Sequence, residues 1–232
     1  MDITAIFNYL ESPTDTAVGI RLILALIFGC LVGWERIYTR HSAGIKTFAL
    51  VSLGSAVATA LNIYLAMFPG LNADVSRIPA GVVSGIGFLG AGTIIVTGRK
   101  QIKGLTTAAS LWVTSCMGMA LGAGYISVGI ICLVLIIIAN IVLMHLSVAV
   151  EVHSKYMSIY VEVDKEGGVG RLTRSIVGEG HTISSISKSK EKTLAPKDAA
   201  LIVDITLNKN RPHSEILTFI SALDFVNYVE EI

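Results

Sequence analysis

Asp74-Val-Ser-Arg-Ile-Pro-Ala-Gly-Val-Val-Ser-Gly-Ile-Gly-Phe-Leu-Gly-Ala-Gly-Thr-Ile-Ile-Val-Thr-Gly98 decides how the chain folds. The stretch is apolar enough to enter a bilayer, yet it carries six glycines: Gly81, Gly85, Gly87, Gly90, Gly92 and Gly98. Each interior glycine costs a helix roughly 0.8–1 kcal/mol relative to alanine. Either close helix–helix contact or a backbone that lines a site must offset that cost.

Working outward, no Asp or Glu occurs between Val75 and Val150, whereas the residues after 150 are rich in charge. Of the 232 residues 53% are hydrophobic and 15% charged, with mean hydropathy +0.69. A soluble chain would carry about a quarter charged residues. The contrast predicts a membrane domain over residues 1–150 and a soluble domain over 151–232. The net charge of +1 argues neither for nor against nucleic acid, but no basic cluster is interleaved with aromatics as a nucleic-acid surface needs, so no nucleic-acid partner is expected. Cys30, Cys116 and Cys132 lie in apolar runs without metal-like spacing and read as small buried hydrophobes. The N-terminus lacks the basic start of a cleaved signal peptide, so the first apolar segment is expected to be retained.

A spanning helix needs about 20 mostly apolar residues. Five segments are expected to cross: Thr16–Trp34, Thr47–Phe68, Ile78–Thr97, Thr106–Gly122 and Ile126–Val148. The fifth is the most uniformly apolar and should be the most lipid-exposed. Arg36, Arg40 and Lys46 follow the first span, and Arg99, Lys100 and Lys103 follow the third. The loop after the second holds only Arg77, beside Asp74, and the loop after the fourth holds none. The basic loops belong on the cytoplasmic side, which puts the N-terminus outside and the C-terminal domain inside.

Polar residues within spans matter most, because lipid cannot satisfy them. Ser52, Ser55, Thr59 and Asn62 share one face of the second span; Thr107, Ser110, Thr114, Gly118 and Gly122 share one face of the fourth. With Thr106, and with Ser84, Gly87 and Gly90 of the third span, they are expected to form a seam. Two readings are open: small residues and hydroxyls that let helices pack, or a polar path. Gly29/Gly33, Gly81/Gly85 and Gly118/Gly122 are GxxxG pairs. Arg21 either snorkels to the outer headgroups or pairs with Asp15 or Asp74. Glu35 and Arg36 form a solvated pair, or Glu35 turns into the mouth of the bundle. Asp74 and Arg77 mark a helix start capped by Ser76 with Pro79 in its first turn, or an ion-facing pair at the outer vestibule. Asn140 and His145 suit packing or interfacial hydrogen bonds.

Gly85-Ile-Gly-Phe-Leu-Gly90 matches a dinucleotide fingerprint, but it lies mid-membrane with no acid about 20 residues on, which excludes that reading. No nucleophile–base set is visible, so no enzyme is expected. From Tyr156 the apolar period changes to two. Strands are expected at Met157–Val163, Thr182–Ser189, Ala199–Leu207 and Phe225–Val229, and helices at Val169–Val177 and Ser214–Leu223. That β-α-β-β-α-β order is the ferredoxin-like plan and resembles the ACT type, which often self-pairs.

Together, Gly33-Trp-Glu-Arg36, Ala43-Gly-Ile-Lys-Thr47, Asp74-Val-Ser-Arg-Ile78, Gly85-Ile-Gly-Phe-Leu-Gly-Ala-Gly92 and Gly104-Leu-Thr-Thr-Ala-Ala-Ser-Leu-Trp112 resemble the MgtC/SapB family of bacterial inner-membrane proteins. The resemblance covers the membrane part; Lys46 stands where the family has Arg, and Gly81 where it more often has Gln. It implies a part in growth under magnesium limitation, acid adaptation and virulence. Two functions follow as expectations. One is ion homeostasis with Mg²⁺-linked transport, using Asp74, Arg77, Glu35, Arg36, Lys46 and Arg21 at the ends of the seam, Mg²⁺ being the one cofactor or cargo in view. The other is a non-transporting regulator that binds another membrane complex such as the ATP synthase. A homodimer through the helix glycine faces and the C-terminal domain is also expected.

Overall fold

The computed structural model describes residues 3–39, 41, 43–71, 74–97, 101–151, 154–189, 193, 197–208 and 212–232. Gly98, Arg40, Arg99, Lys100 and most of the polar loop before Asp198 lie outside the described residues. The chain divides into two compact units, Met1–Ile95 with Lys103–Leu143, and Val96–Ile102 with Met144–Ile232.

The first unit is helical. A short helix α1 (Ile3–Glu11) precedes α2 (Asp15–Tyr38), α3 (Ile45–Ala66), α4 (Arg77–Gly92), α5 (Leu105–Gly122) and α6 (Ile126–Ile138). A π-helical turn at Ala139–Leu143 follows, and the chain continues as α7 (Met144–Glu151). Four helices among the described residues are long and apolar enough to cross a membrane: α2, α3, α5 and Ile126–Ser147. Only 17% of the apolar stretch of the last is buried, against 50% in α5, in keeping with its even hydrophobicity.

The expected third span is shorter than its apolar sequence. α4 has 16 residues, or about 24 Å at 1.5 Å per residue, against a hydrocarbon core of about 30 Å. It stops where Thr93 N and Thr93 Oγ1 both donate to the Gly90 carbonyl, at 3.0 and 2.7 Å. The β-branched run beyond it prefers extended backbone, and Ile95–Val96 (β1) pairs with Ile102–Lys103 (β2). Gly104 then enters α5 at φ 98°, with its Cα so placed that a Cβ would lie 2.0 Å from the Thr93 carbonyl oxygen. The three cysteines are half-buried rather than buried, and free.

Ala25, Val32, Phe48, Ala56, Leu111, Met117 and Leu121 form the centre of the bundle, where α2, α3 and α5 meet. Their glycines permit the approach. A Cβ on Gly29 would lie 2.6 Å from the Phe48 carbonyl oxygen, one on Gly118 2.2 Å from that of Ser52, and one on Gly122 2.3 Å from that of Ala56. α4 lies against α5 and α3 with only Ile86 and Gly90 buried.

In the second unit, β3 (Tyr156–Asp164), α8 (Gly168–Gly178), β4 (Thr182–Lys188), β5 (Asp198–Thr206), α9 (His213–Ser221) and β6 (Val226–Glu231) follow in order. The sheet runs β4-β5-β3-β6, with every neighbouring pair antiparallel. Period-two burial explains the core: Met157, Ile159, Val161 and Val163 join Leu201, Val203 and Ile205 against Leu172, Ile176, Ile216 and Ile220. His213 opens α9. Its Nε2 lies 2.8 Å from the Ser154 carbonyl, which can only accept, so Nε2 carries a proton; Nδ1 lies 2.5 Å from Glu231 Oε1.

Candidate functional site

α5 meets the hydroxyl stripe of α3 through Ser115, which the expected stripe did not include, and through Gly118 and Gly122, which it did. Ser55 Oγ lies 2.8 Å from Ser115 Oγ and within the same distance of the Val51 carbonyl, while Thr59 Oγ1 donates to the Ser55 carbonyl at 2.9 Å. Ser52 and Asn62 of α3 and Thr107, Ser110 and Thr114 of α5 are buried as well. Among the described residues, Ser52 Oγ, Asn62 Nδ2 and Thr114 Oγ1 have no hydrogen-bond partner. The stripes close on backbone packing, since Gly118 and Gly122 leave no room for a methyl group.

α4 does not complete this seam as expected. Ser84 and Gly87 point away from it: both are exposed, and of the three only Gly90 is buried, where a Cβ would meet Ala108 at 3.3 Å. Among the described residues, a Cβ added to Gly81, Gly85, Gly87 or Gly92 would meet nothing within 4 Å. A helix that offers only Ile86 and Gly90 inward has too narrow a buried face to bring its other small residues to the seam.

A polar cluster forms instead at the Tyr38 end of α2. Arg36 is 3% exposed. Its Nη2 donates to Thr106 Oγ1 and Thr107 Oγ1 of the first turn of α5, both at 3.5 Å, and its Nε has no partner among the described residues. Half-buried Glu35 turns the other way. Asn140 Nδ2 donates to Glu35 Oε2 at 2.7 Å, and Ser110 Oγ donates to Asn140 Oδ1 at 3.4 Å. A carboxylate only accepts, which fixes the orientation of the amide. Thr39 Oγ1 lies 3.3 Å from Glu35 Oε1 and 2.8 Å from His41 Nδ1. Burial, with the Arg36 charge adding to it, holds His41 below the ordinary imidazole value, against a smaller opposite pull from Glu35. The result is a continuous chain from Ser110 through Asn140 and Glu35 to Thr39 and His41. Glu35 is thus the inward-turned acid rather than half of a solvated pair.

At the opposite ends of α2 and α3, Arg21 is 5% exposed and donates from Nη2 to the Ser12 carbonyl, at 3.4 Å. Among the described residues neither Asp15 nor Asp74 forms an ion pair with it, so the expected carboxylate pairing is not seen and the side chain is buried without one. Exposed Asp74 accepts from Ser76 N at 2.8 Å and Ser76 Oγ at 2.7 Å. Ser76 therefore donates to Asp74 and makes no side-chain cap of its own. Those two bonds, and then Arg77, hold the Asp74 carboxyl below its ordinary value. Arg77 and Lys46 are both exposed, in the first turns of α4 and α3.

Asp74 and Glu35 are separated by the length of α3, 22 residues or about 33 Å. Among the described residues no group of three or more His, Cys, Asp or Glu could hold a metal ion. Glu35, Asn140 Oδ1 and nearby hydroxyls are oxygen donors of the kind Mg²⁺ takes, but the buried Arg36 guanidinium beside them opposes a divalent cation. Asn140, Thr39 and His41 were outside the expected site. The available signal was Asn140 itself, an amide in the most apolar span.

Membrane-length helices, a buried charged and amide cluster at one end of them, and an antiparallel α/β unit after them define a multi-pass membrane protein with a C-terminal α/β domain. The chain belongs to the MgtC family, whose model matches residues 22–148. An uncharacterized protein of Haemophilus influenzae is 32% identical over 195 residues, 79% of each chain. Protein MgtC of Salmonella paratyphi A is 33% identical over 168 residues, 69% of this chain and 70% of its own. YhiD of Escherichia coli K12, whose name assigns it provisionally to magnesium transport, is 43% identical over 115 residues, 48% of this chain and 53% of its own. No solved structure matches the chain significantly. Family and relatives support a membrane protein linked to Mg²⁺ homeostasis.

Proposed function

We propose that the chain serves Mg²⁺ homeostasis in the bacterial inner membrane as a regulator that binds another membrane complex, not as a conduit. The closed contact between the α3 and α5 stripes carries this reading, since Gly118 packs directly on the Ser52 backbone. Arg36 adds to it by opposing a cation at the Glu35 cluster. Under this reading α4 is a short span, third of five in chain order, accommodated by local thinning of the bilayer. Its crossing puts the basic loops after α2 and α4 on one side, which favours an outside N-terminus and a cytoplasmic ferredoxin-like, ACT-like domain. The open α4 glycines suit docking of a partner helix or a second copy, because small residues permit close approach. A groove of about 470 Å³ lined by Leu50, Gly54, Val82, Gly85 and Leu89 runs beside them.

One observation favours transport instead. Ser52 Oγ, Asn62 Nδ2 and Thr114 Oγ1 are buried without partners among the described residues, at a typical cost of about 1–3 kcal/mol each, and hydration of an opened seam would satisfy them. Proteoliposomes containing the full chain and an internal Mg²⁺ indicator separate the two. The regulatory reading expects influx equal to that of empty vesicles, together with rescue of growth at low Mg²⁺ by the wild type and not by Glu35→Gln. Influx that scales with protein and stops in Glu35→Gln would establish transport.

A further inference from the structure

Beside Arg21 lies a cavity of about 260 Å³, lined by Val18, Leu22, Val57, Ala60, Leu61 and Tyr64, with Asp15 also on its wall. Arg21 is buried, with only 5% of its surface exposed, and its Nε has no partner among the described residues. The hydrogen bond it does make is the long one to the Ser12 carbonyl, and no described carboxylate pairs with it. A buried guanidinium is always charged, and leaving that charge unpaired is costly. The lining is otherwise almost wholly apolar. The volume falls below the roughly 300–1,000 Å³ of sites that engulf a drug-sized ligand, so it suits part of a chain whose remainder stays in lipid. Arg21 sits six residues into α2, about 9 Å along it, a depth at which headgroup oxyanions and acyl chains meet.

We infer that this cavity binds a membrane amphiphile, with its phosphate or carboxylate oxyanion on Arg21 and the start of its acyl chain among Leu22, Val57 and Leu61. The planar guanidinium matches either oxyanion bidentately, which a lysine cannot. Asp15 repels the same headgroup and so limits affinity. The site is independent of the Glu35 cluster and of whether the protein transports or regulates.

Native mass spectrometry of the full chain in detergent tests it, titrating phosphatidylglycerol, oleate and diacylglycerol in turn. Phosphatidylglycerol or oleate is expected to bind about tenfold or more tightly than diacylglycerol, as one charge-assisted interaction allows. Phosphatidylglycerol alone identifies a lipid phosphate, oleate alone a fatty acid, and both the shared oxyanion. Arg21→Gln abolishes the preference, Arg21→Lys retains part of it, and Asp15→Asn strengthens it. Ala60→Leu keeps the charge, fills the tail region and weakens binding, which decides the matter if Arg21→Gln does not fold. Equal binding of all three lipids, no binding, or a preference unchanged by both Arg21→Gln and Ala60→Leu overturns the inference.

Discussion

Single side chains at the Tyr38 end of α2 carry the chemistry most open to test. Asn140 is held by a carboxylate 105 residues away in sequence, at 2.7 Å. Asn140→Leu leaves Glu35 without that donor. Losing the partner of a half-buried carboxylate destabilises by about 1 kcal/mol or more. Asn140→Asp should be worse, because it sets two carboxylates against each other. Detergent-resistant thermal unfolding of the full chain orders the three proteins, wild type above leucine above aspartate. His41 gives the pH dependence. Its value in the folded state is lowered from 6.5, so the unfolded chain binds the extra proton first as pH falls. Stability is therefore complete above about pH 6.5 and is lost as pH drops from there toward the lowered folded value. His41→Gln keeps a polar group and removes the titration. Its unfolding midpoint should stay flat between about pH 7 and 5 where the wild type declines; parallel curves would remove His41 from the cluster's acid response.

Whole helices differ in what their glycines are for. On α5, Gly118 lies where a methyl group would meet a backbone oxygen at 2.2 Å, and backbone cannot move aside cheaply. Gly118→Ala should destabilise by about 1–3 kcal/mol, as overpacking of a tight contact does. On α4, a methyl group at Gly85 would meet nothing within 4 Å. Gly85→Ala should be neutral or stabilising by up to about 1 kcal/mol from helix propensity alone. Chemical unfolding of both variants checks the contrast, and equal effects would mean the α4 face is covered in the isolated protein. The α3 and α5 stripes could be read in advance because spacings of 3 and 4 put Ser55, Thr59, Thr107 and Ser110 on single faces whatever the tertiary fold. The strand and helix order after Tyr156 was legible for the same reason, through its period of two. The end of α4 was not, because Ile94-Ile-Val-Thr97 is as apolar as a helix and only the Thr93 bonds to Gly90 show it has ended. Nor was the Glu35–Asn140 bond, since a π-turn shifts the register of side chains and no local pattern announces one.

At the scale of the molecule, the bundle uses its glycines unequally, and that inequality argues for a partner. Gly29, Gly33, Gly118 and Gly122 are consumed inside the first unit, where each contact excludes a methyl group. Gly81, Gly85, Gly87 and Gly92 impose their helix cost without such a contact, and Phe88 and Leu89 beside them are exposed. A bilayer offers no hydrophobic reward for covering that face, so only close packing with another helix can offset it. Large side chains there should therefore abolish association while leaving the fold intact. Gly85→Leu and Gly81→Leu, each made in the full chain, are expected to unfold no earlier than wild type and to lose site-specific crosslinks formed from a reactive group at Ser84 in native membranes. They should also fail to restore growth at low Mg²⁺. Glu35→Gln provides the counterpart: it should fail in growth while keeping the Ser84 crosslinks, because its cluster lies on α2, α5 and the π-turn and not on α4. Crosslinks that persist in both leucine variants would place the partner surface elsewhere, and growth that survives them would separate the α4 face from the protein's role in Mg²⁺ homeostasis.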